Sequence, residues 1–305
     1  MSVLIIGYGS IGARHAKILS QMHRTVSLIT RQKIENYTCY ETIEKAFKEN
    51  VFNMVVIANP TNLHYETLKK IYLLNFQGII LVEKPLFSNL EAIDFNVREN
   101  VYVAYNLRFH ELFNHLIDIL KDDALLSFSV HAGSYLPDWR KNTNYQNCYS
   151  AKQEQGGGVL RDLSHELDYI LWICGKCIEV TAMGGHMSSL EINSDDIYSI
   201  LMRCENCPIV NIQLDYLSRV PMRNITIQTK KQKTIFIDLI NGCLSLNGEI
   251  LFNIKEPIKN TYILQHKAII EKNFADLCCF KQGLAVMNLI SMIEKSACEK
   301  KWVVL

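Results

Sequence analysis

Along the first 107 residues, short apolar runs alternate with stretches in which apolar positions recur every three or four residues. Val3–Ile6, Val26–Ile29, Met54–Ala58, Ile79–Val82 and Val101–Tyr105 are rich in Val and Ile and almost free of charge. That is the pattern of strands buried on both faces. Between them Ile11–Met22, Thr42–Glu49, Asn62–Asn75 and Asn89–Val97 carry helical spacing, as in Leu63, Thr67, Leu68, Ile71 and Leu74. Ser88 with Glu91 has the form of a capping box for the last of these. Strand alternating with helix predicts a parallel sheet covered by helices.

The pattern then changes. Arg108–Leu120 has helical spacing, Leu125–Ala132 reads as a strand, and an aromatic and polar loop runs from Gly133 to Gln155. A helix is predicted from about Leu160 to Cys174. Ile178–Met183, Ile197–Met202, Ile209–Tyr216, Ile225–Thr229, Ile235–Leu239, Cys243–Leu246 and Ile250–Phe252 follow as strands. The last three are joined by Asn241-Gly242 and Asn247-Gly248, strong hairpin signals, so this stretch predicts an antiparallel meander. Helices over about Tyr262–Gln282 and Leu284–Glu299 close the chain.

Composition sharpens this picture by exclusion. At 305 residues and 49% hydrophobic, the chain has the balance of two globular domains. Lys plus Arg is 32 against 31 acids, a net charge of +1, which gives no global attraction to nucleic acid or an anionic membrane. No run approaches the roughly 18 apolar residues of a membrane span. The start, Met1-Ser2-Val3-Leu4-Ile5-Ile6-Gly7, lacks the features of a signal peptide, so a cytoplasmic location is expected, with the ten Cys as free thiols.

Gly7-Tyr8-Gly9-Ser10-Ile11-Gly12 is a G-x-G-x-x-G between a predicted strand and a helix, the context in which it binds a dinucleotide. The first glycine permits a tight turn, the second lets backbone approach the pyrophosphate, and the third lets helix pack on strand. Ser10 and Ile11 open the helix whose free N–H groups face the phosphates. Where NAD enzymes place an acid for the ribose 2′-OH, the sequence has Thr30-Arg31-Gln32-Lys33. Thr30 and Arg31 suit a 2′-phosphate, so NADP is expected as cofactor, with NAD the alternative.

Asn59-Pro60, His64, Glu83-Lys84-Pro85 and Asn106-Leu107-Arg108-Phe109 fall at or just after the carboxyl ends of predicted strands, the edge at which open α/β sheets bind ligands. Asn59, Pro60, His64, Glu83, Lys84 and Asn106 are therefore candidate cofactor contacts. Lys84 is a candidate acid or base, because a positive nicotinamide and desolvation disfavour its ammonium form. Gly156-Gly157-Gly158 leads into a helix on which Asp162 and His165 are predicted to share a face, with Asp168 three residues further on.

Together these motifs resemble the glucose–fructose oxidoreductase/inositol dehydrogenase (Gfo/Idh/MocA) family, in both halves of the chain. The resemblance implies a Rossmann domain over 1–107 and an α+β domain over 108–305 with a large, mostly antiparallel sheet that mediates a homodimer or homotetramer. It implies that Lys84 is the catalytic acid/base and that Asp162 and His165 line the substrate pocket and help proton transfer. The usual Asp-to-His spacing is four and here it is three, which leaves open which of the two takes the proton. The implied activity is hydride transfer between a nicotinamide cofactor and a sugar or sugar-derived alcohol or carbonyl, in bacterial carbohydrate or surface-glycan metabolism. The rivals are a non-catalytic dinucleotide sensor or regulatory subunit, and an imine or tetrapyrrole reductase on the same fold.

The loop before the triple glycine carries Trp139, Arg140, Tyr145, Tyr149 and Lys152. Aromatic faces stack on sugar rings, and Arg140 with Lys152 can hold a phosphate or carboxylate. The other reading is a loop packed on itself or on a second subunit. Arg108, Trp139, Arg140 and Tyr149 thus join Lys84, Asp162 and His165 as candidate substrate contacts. Cys174-x-x-Cys177 and Cys204-x-x-Cys207 have the outline of a zinc site, but Gly175 suits a helix cap and Glu205-Asn206 a hairpin turn. No metal is expected.

Overall fold

The computed structural model describes residues 1–90, 93–140, 143–255, 258 and 260–304. The chain divides into two compact units, one of residues 1–105 with 262–284, the other of 106–261 with 285–305.

The first unit is built on strands β1 (Ser2–Ile6), β2 (Thr25–Ile29), β3 (Thr38–Tyr40), β4 (Met54–Ile57), β5 (Ile79–Val82) and β6 (Val101–Val103). They lie parallel in the order β6-β5-β4-β1-β2-β3. Val3, Leu4, Ile5 and all of β4 are fully buried, as near-continuous apolar strands must be. Helices α1 (Ser10–Gln21), α2 (Ile43–Glu49) and α3 (His64–Leu73) connect them. The buried face of α1 is Gly12, His15, Ala16 and Leu19, at spacings of three and four. Thr42 caps α2 by accepting from the Lys45 N–H. The strand order reverses between β1 and β4, which opens a crevice at their carboxyl ends.

β3 has no counterpart in the expected strands. It is a three-residue edge strand carrying Thr38 and Cys39, too short and too polar for an apolar-run signal. The helix expected over Asn89–Val97 does not form among the described residues, and Glu91 of the capping box lies outside them. Side chains instead tie this segment to α3. Asp94 accepts from Tyr65 Oη at 2.7 Å and from Lys69 Nζ at 2.5 Å. The Phe95 ring lies against Tyr65 and Tyr72, and the Arg98 N–H is donated to Tyr72 Oη.

The second unit begins with a 3-10 turn over Asn106–Phe109 and helix α4 (Glu111–Leu120), then β7 (Leu125–Gly133) and four short 3-10 turns between Leu136 and Gln155. Helices α5 (Val159–Asp162) and α6 (Ser164–Cys174) follow. The sheet takes in β7 with β8 (Cys177–Gly185), β9 (Ile197–Cys204), β10 (Cys207–Asp215), β11 (Met222–Thr229), β12 (Thr234–Asp238), β13 (Cys243–Leu246) and β14 (Glu249–Asn253). Their order is β14-β13-β12-β11-β7-β10-β9-β8, with Val303–Val304 on the far edge. Among these pairs only β7 and β10 run parallel. The Asn247-Gly248 turn has both residues at positive φ, 51° and 90°, as a tight hairpin requires.

A contiguous domain from 108 to 305 is therefore corrected at its C-terminal end. The helix expected over Tyr262–Gln282 stops early: α7 covers Thr261–Ile270, and Lys272 turns the chain at φ 57° while Asn273 N–H bonds Ala268 O. Cys278–Cys279 then adds an antiparallel strand to β6, completing the first sheet. Gly283, in α8 (Phe280–Glu299), has no Cβ to meet Val103, which would lie 2.5 Å away. A strand of two residues inside a helix-rich stretch leaves no periodicity to read.

His110 caps α4 and is buried, with Nδ1 accepting from Leu112 N–H and Nε2–H donating to Leu239 O. Burial lowers its pKa to about 4. Its stabilising contribution is thus fully present above the unfolded value near 6.5 and is lost as the pH falls toward about 4. Between about pH 7 and 5, His110→Asn, which keeps a capping acceptor, should lose about 2 kcal/mol less stability than the parent in urea titrations. Equal losses would contradict the assignment.

Candidate active site

The carboxyl ends of β1, β2, β4 and β5 bring one set of expected residues to a single edge of the first sheet. Gly7 holds φ 99°, and a Cβ there would lie 2.6 Å from Ala58 O. A Cβ on Gly12 would lie 2.1 Å from Gly7 O, so α1 can approach the turn only with glycine at that position. Gly9 is different: nothing lies within 4 Å of its added Cβ. It is the N-cap of α1, with no side chain satisfying the helix's first N–H groups. An open cradle beside bare N–H groups fits a dinucleotide's phosphates. Asn59 Oδ1 is buried with no hydrogen-bond partner among the described residues, although its Nδ2 bonds Thr67 Oγ1 at 2.8 Å, which leaves an acceptor for a hydroxyl or amide N–H of the dinucleotide rather than for its phosphates.

At the end of β2, Thr30 Oγ1 accepts from the Gln32 N–H at 3.1 Å, and Arg31 is exposed. His64 is buried and faces inward rather than toward a ligand. Its Nδ1 meets Pro85 O and Leu86 O, and its Nε2 meets Asn59 O. Burial lowers its pKa. It therefore clamps the strand ends that carry Asn59, Pro60 and Lys84. Glu83 is also turned inward: it is 6% exposed, bonded to His15 Nε2 at 2.7 Å, and accepts the Lys84 N–H at 3.2 Å. Lys84 is half-buried. The polar atoms of His64 and Glu83, two of the expected cofactor contacts, are thus engaged within the first unit.

In the second unit two residues of the triple glycine, Gly157 and Gly158, are required by crowding. A Cβ on Gly157 would lie 2.2 Å from Tyr149 O, and one on Gly158 would lie 2.1 Å from Asp195 Oδ1. Asp195 caps α5 through Leu160 N–H, and burial raises its pKa to about 6. The expected single helix is broken at Leu163, so Asp162 ends α5 while His165 lies in the first turn of α6. Both are buried. The Asp162 carboxylate accepts from Tyr149 Oη on one oxygen and from Tyr216 Oη at 2.6 Å on the other. Burial, reinforced by Asp162, raises the pKa of both phenols well above the ordinary value, so each remains a donor.

Tyr149 also lines a cleft of about 400 Å³ with Trp139, Arg140 and Tyr145. Trp139 packs edge-on against Tyr216 and donates Nε1–H to Ser134 Oγ. Tyr216 was absent from the expected set. It ends an ordinary apolar run, and only the register of β10 turns it toward Asp162. Arg108 and Asn106 do not join this cluster. Arg108 is 2% exposed and its guanidinium forks onto both oxygens of Asp168, at 2.8 and 2.7 Å. Asn106 is buried and donates to Thr261 Oγ1 at 2.6 Å. Arg108, an expected substrate contact, is thus held by Asp168, while Asn106, an expected cofactor contact, keeps a buried Oδ1 with no hydrogen-bond partner among the described residues.

Cys174, Cys177, Cys204 and Cys207 are buried where α6, β8, β9 and β10 meet. Gly175 caps α6 at φ 80°. Burial pushes the thiols of Cys177 and Cys204 up to about 11 and about 12, which holds them protonated. Among the described residues no group of three or more His, Cys, Asp or Glu is placed to hold a metal.

A Rossmann unit with a phosphate cradle, joined in one chain to a unit with a large antiparallel sheet and a buried acid–phenol cluster, defines a class of nicotinamide-dependent oxidoreductases. Two family models match this chain, the NAD-binding Rossmann fold of the GFO/IDH/MocA oxidoreductases over residues 1–99 and the GFO/IDH/MocA C-terminal domain over 124–233. The chain belongs to the GFO/IDH/MocA oxidoreductase family. An uncharacterized oxidoreductase of Synechocystis sp. is 27% identical over 150 residues, a match spanning 47% of this chain and 40% of that protein. Among solved structures, GenD2 of gentamicin A biosynthesis, crystallised with NAD, superposes with a TM-score of 0.81 at 17% identity, over 100% of this chain and 96% of its own. The WlbA dehydrogenase of Bordetella pertussis, crystallised with NADH and UDP-GlcNAcA, gives 0.78 at 16% identity, over 100% and 98%. At such identities the likeness is one of fold.

Gly9→Val would fill the cradle without touching the fold. The melting temperature should stay near that of the parent, and NAD(P)H affinity, read by fluorescence titration, should fall at least about tenfold. Undiminished affinity would place the phosphates elsewhere.

Proposed function

We propose that this protein is an NAD(P)-dependent dehydrogenase or reductase of a sugar or sugar-derived alcohol or carbonyl, phosphate- or nucleotide-linked. The observation that carries the substrate class is the cleft of Trp139, Arg140, Tyr145 and Tyr149, with Asp162 bonded behind Tyr149. Aromatic faces receive the apolar face of a sugar ring, and an exposed guanidinium pairs with an attached phosphate or carboxylate. The sugar nucleotide in the WlbA crystal supports the same reading.

The bound nicotinamide would accept or deliver the hydride. Lys84 takes or gives the hydroxyl proton at Nζ, as a half-buried amine at the end of β5. Asp162 and His165 assist on the substrate side, Asp162 through the hydroxyl of Tyr149. Thr30 and the exposed Arg31, with no acid among residues 30–33, favour NADP over NAD. The open face of the large sheet exposes Met183, Leu201 and Phe236 among polar residues such as Ser199, Asn211 and Gln213, a mixed surface suited to a second copy of the chain. A bacterial surface-glycan role in the cytoplasm fits a sugar substrate, and among the described residues no helix is long and apolar enough to cross a membrane.

A thermal-shift panel of NAD, NADP, sugar phosphates and UDP-sugars, followed by turnover with any sugar that stabilises the protein, tests this reading. A shift with cofactor, a further shift with a sugar, and reduction or oxidation of that sugar are expected. Cofactor binding with no sugar response would assign a sensor instead. Lys84→Ala should bind cofactor within a few-fold of the parent and lose about 100-fold or more in turnover. Near-full turnover in that variant would remove Lys84 from proton transfer.

A further inference from the structure

Glu83 has to be held before Lys84 can be placed, because a buried carboxylate is stable only when its oxygens are bonded. One oxygen accepts from the Lys84 N–H at 3.2 Å, and the other meets His15 Nε2 at 2.7 Å. His15 is itself fully buried on α1, and its Nδ1 meets His266 Nε2 of α7 at 2.7 Å. His266 is fully buried, and its Nδ1 has no hydrogen-bond partner among the described residues. Three groups from three distant parts of the sequence thus form one chain that ends on the residue before Lys84.

The chain has a direction. Burial lowers the pKa of His266 well below its ordinary value, so its ring carries a single N–H. Placing that hydrogen on Nδ1 would bury an N–H with nothing to accept it, a rare and costly arrangement. Placed on Nε2, it is donated to His15 Nδ1. His15 then carries its own hydrogen on Nε2 and donates it to Glu83. The second Glu83 oxygen is left to accept from the backbone of Lys84. Every donor in the chain is used.

We propose that His15 and His266 are positioning residues, a one-way imidazole relay that fixes the Glu83 carboxylate and through it the backbone of Lys84. The importance of Lys84 rests on the acid/base reading above; the relay itself does not. Other titratable and charged groups surround the chain without breaking it. Tyr262 lies edge-on to the His15 ring, the Arg14 guanidinium lies over the ring of Tyr262, and His64, its pKa lowered by burial, is bonded to the carbonyls of Pro85 and Leu86. The relay also gives α7 a task. The late segment 262–284 packs with the first unit and carries the last imidazole of the chain.

Two measurements on the full chain decide it. With ¹⁵N-labelled histidine, His15 and His266 should both carry their hydrogen on Nε2 between about pH 7.5 and 8.5. An Nδ1–H tautomer or a charged ring at either position in that range overturns the relay. Amide hydrogen exchange at Lys84 should rise about tenfold in His266→Leu and return toward the parent value in His266→Gln, whose side-chain amide keeps a donor for His15. Unchanged exchange in His266→Leu, or equal exchange in both variants, overturns it. If His266→Leu fails to fold, the tautomers of the parent chain decide alone. Neither readout uses turnover, so failure of the Lys84 acid/base reading would show in Lys84→Ala while tautomers and exchange stayed as expected.

Discussion

The first unit depends on one close approach, that of α1 to the turn after β1. A Cβ on Gly12 would stand 2.1 Å from Gly7 O, and one on Gly7 would stand 2.6 Å from Ala58 O at the end of β4. With both side chains absent, helix and neighbouring strand close around the turn, and Gly9 is left at the lip with open space before it. The same approach sets the helix's bare N–H groups at the point where the strand order reverses. It also directs His15, one turn further along α1, inward toward Glu83. The phosphate cradle and the anchoring of Lys84 thus have a common geometric origin.

Buried charge organises the second unit. Arg108 and Asp168 are paired out of contact with solvent, Glu166 is paired with Arg223 at 2.7 Å, and Asp195 caps α5 beneath the triple glycine. Breaking such a pair from one side leaves a buried charge uncompensated, typically a loss of about 3–5 kcal/mol. These groups hold the short helices α5 and α6 in place. Asp162 differs in kind, since its two oxygens are taken by neutral phenols and not by a cation. Hydroxyl groups that both donate and accept suit passing a proton better than a salt bridge does. Charge was thus spent on the frame and phenols on the site.

Much of this was legible in the residue pattern. The strands β1, β2, β4 and β5 stand within one residue of the apolar runs that predict them, because a strand buried on both faces is nearly continuous in apolar residues. The glycine fingerprint was legible for the same kind of reason, since its spacing follows from a local clash. Residues 93–97 were not legible as a non-helical cover, because what holds them is Asp94 and Phe95 reaching Tyr65, Lys69 and Tyr72 in α3. Arg108, Asn106, Glu83 and His64 are read as ligand contacts from their place at strand ends, but position along the chain does not reveal the internal partners each side chain takes.

The sequence by itself determined the two-part architecture, the phosphate cradle and the candidate acid/base, since each arises from neighbours within a few residues. Tertiary structure alone decided the rest. It returned residues 262–284 to the first unit, broke the helix between Asp162 and His165, brought Tyr216 to Asp162, and joined His266 to His15 and Glu83. These depend on contacts between residues up to 251 positions apart. Local propensity is a sum over neighbours, whereas a buried polar group takes its partner from whatever the folded core places within hydrogen-bond reach.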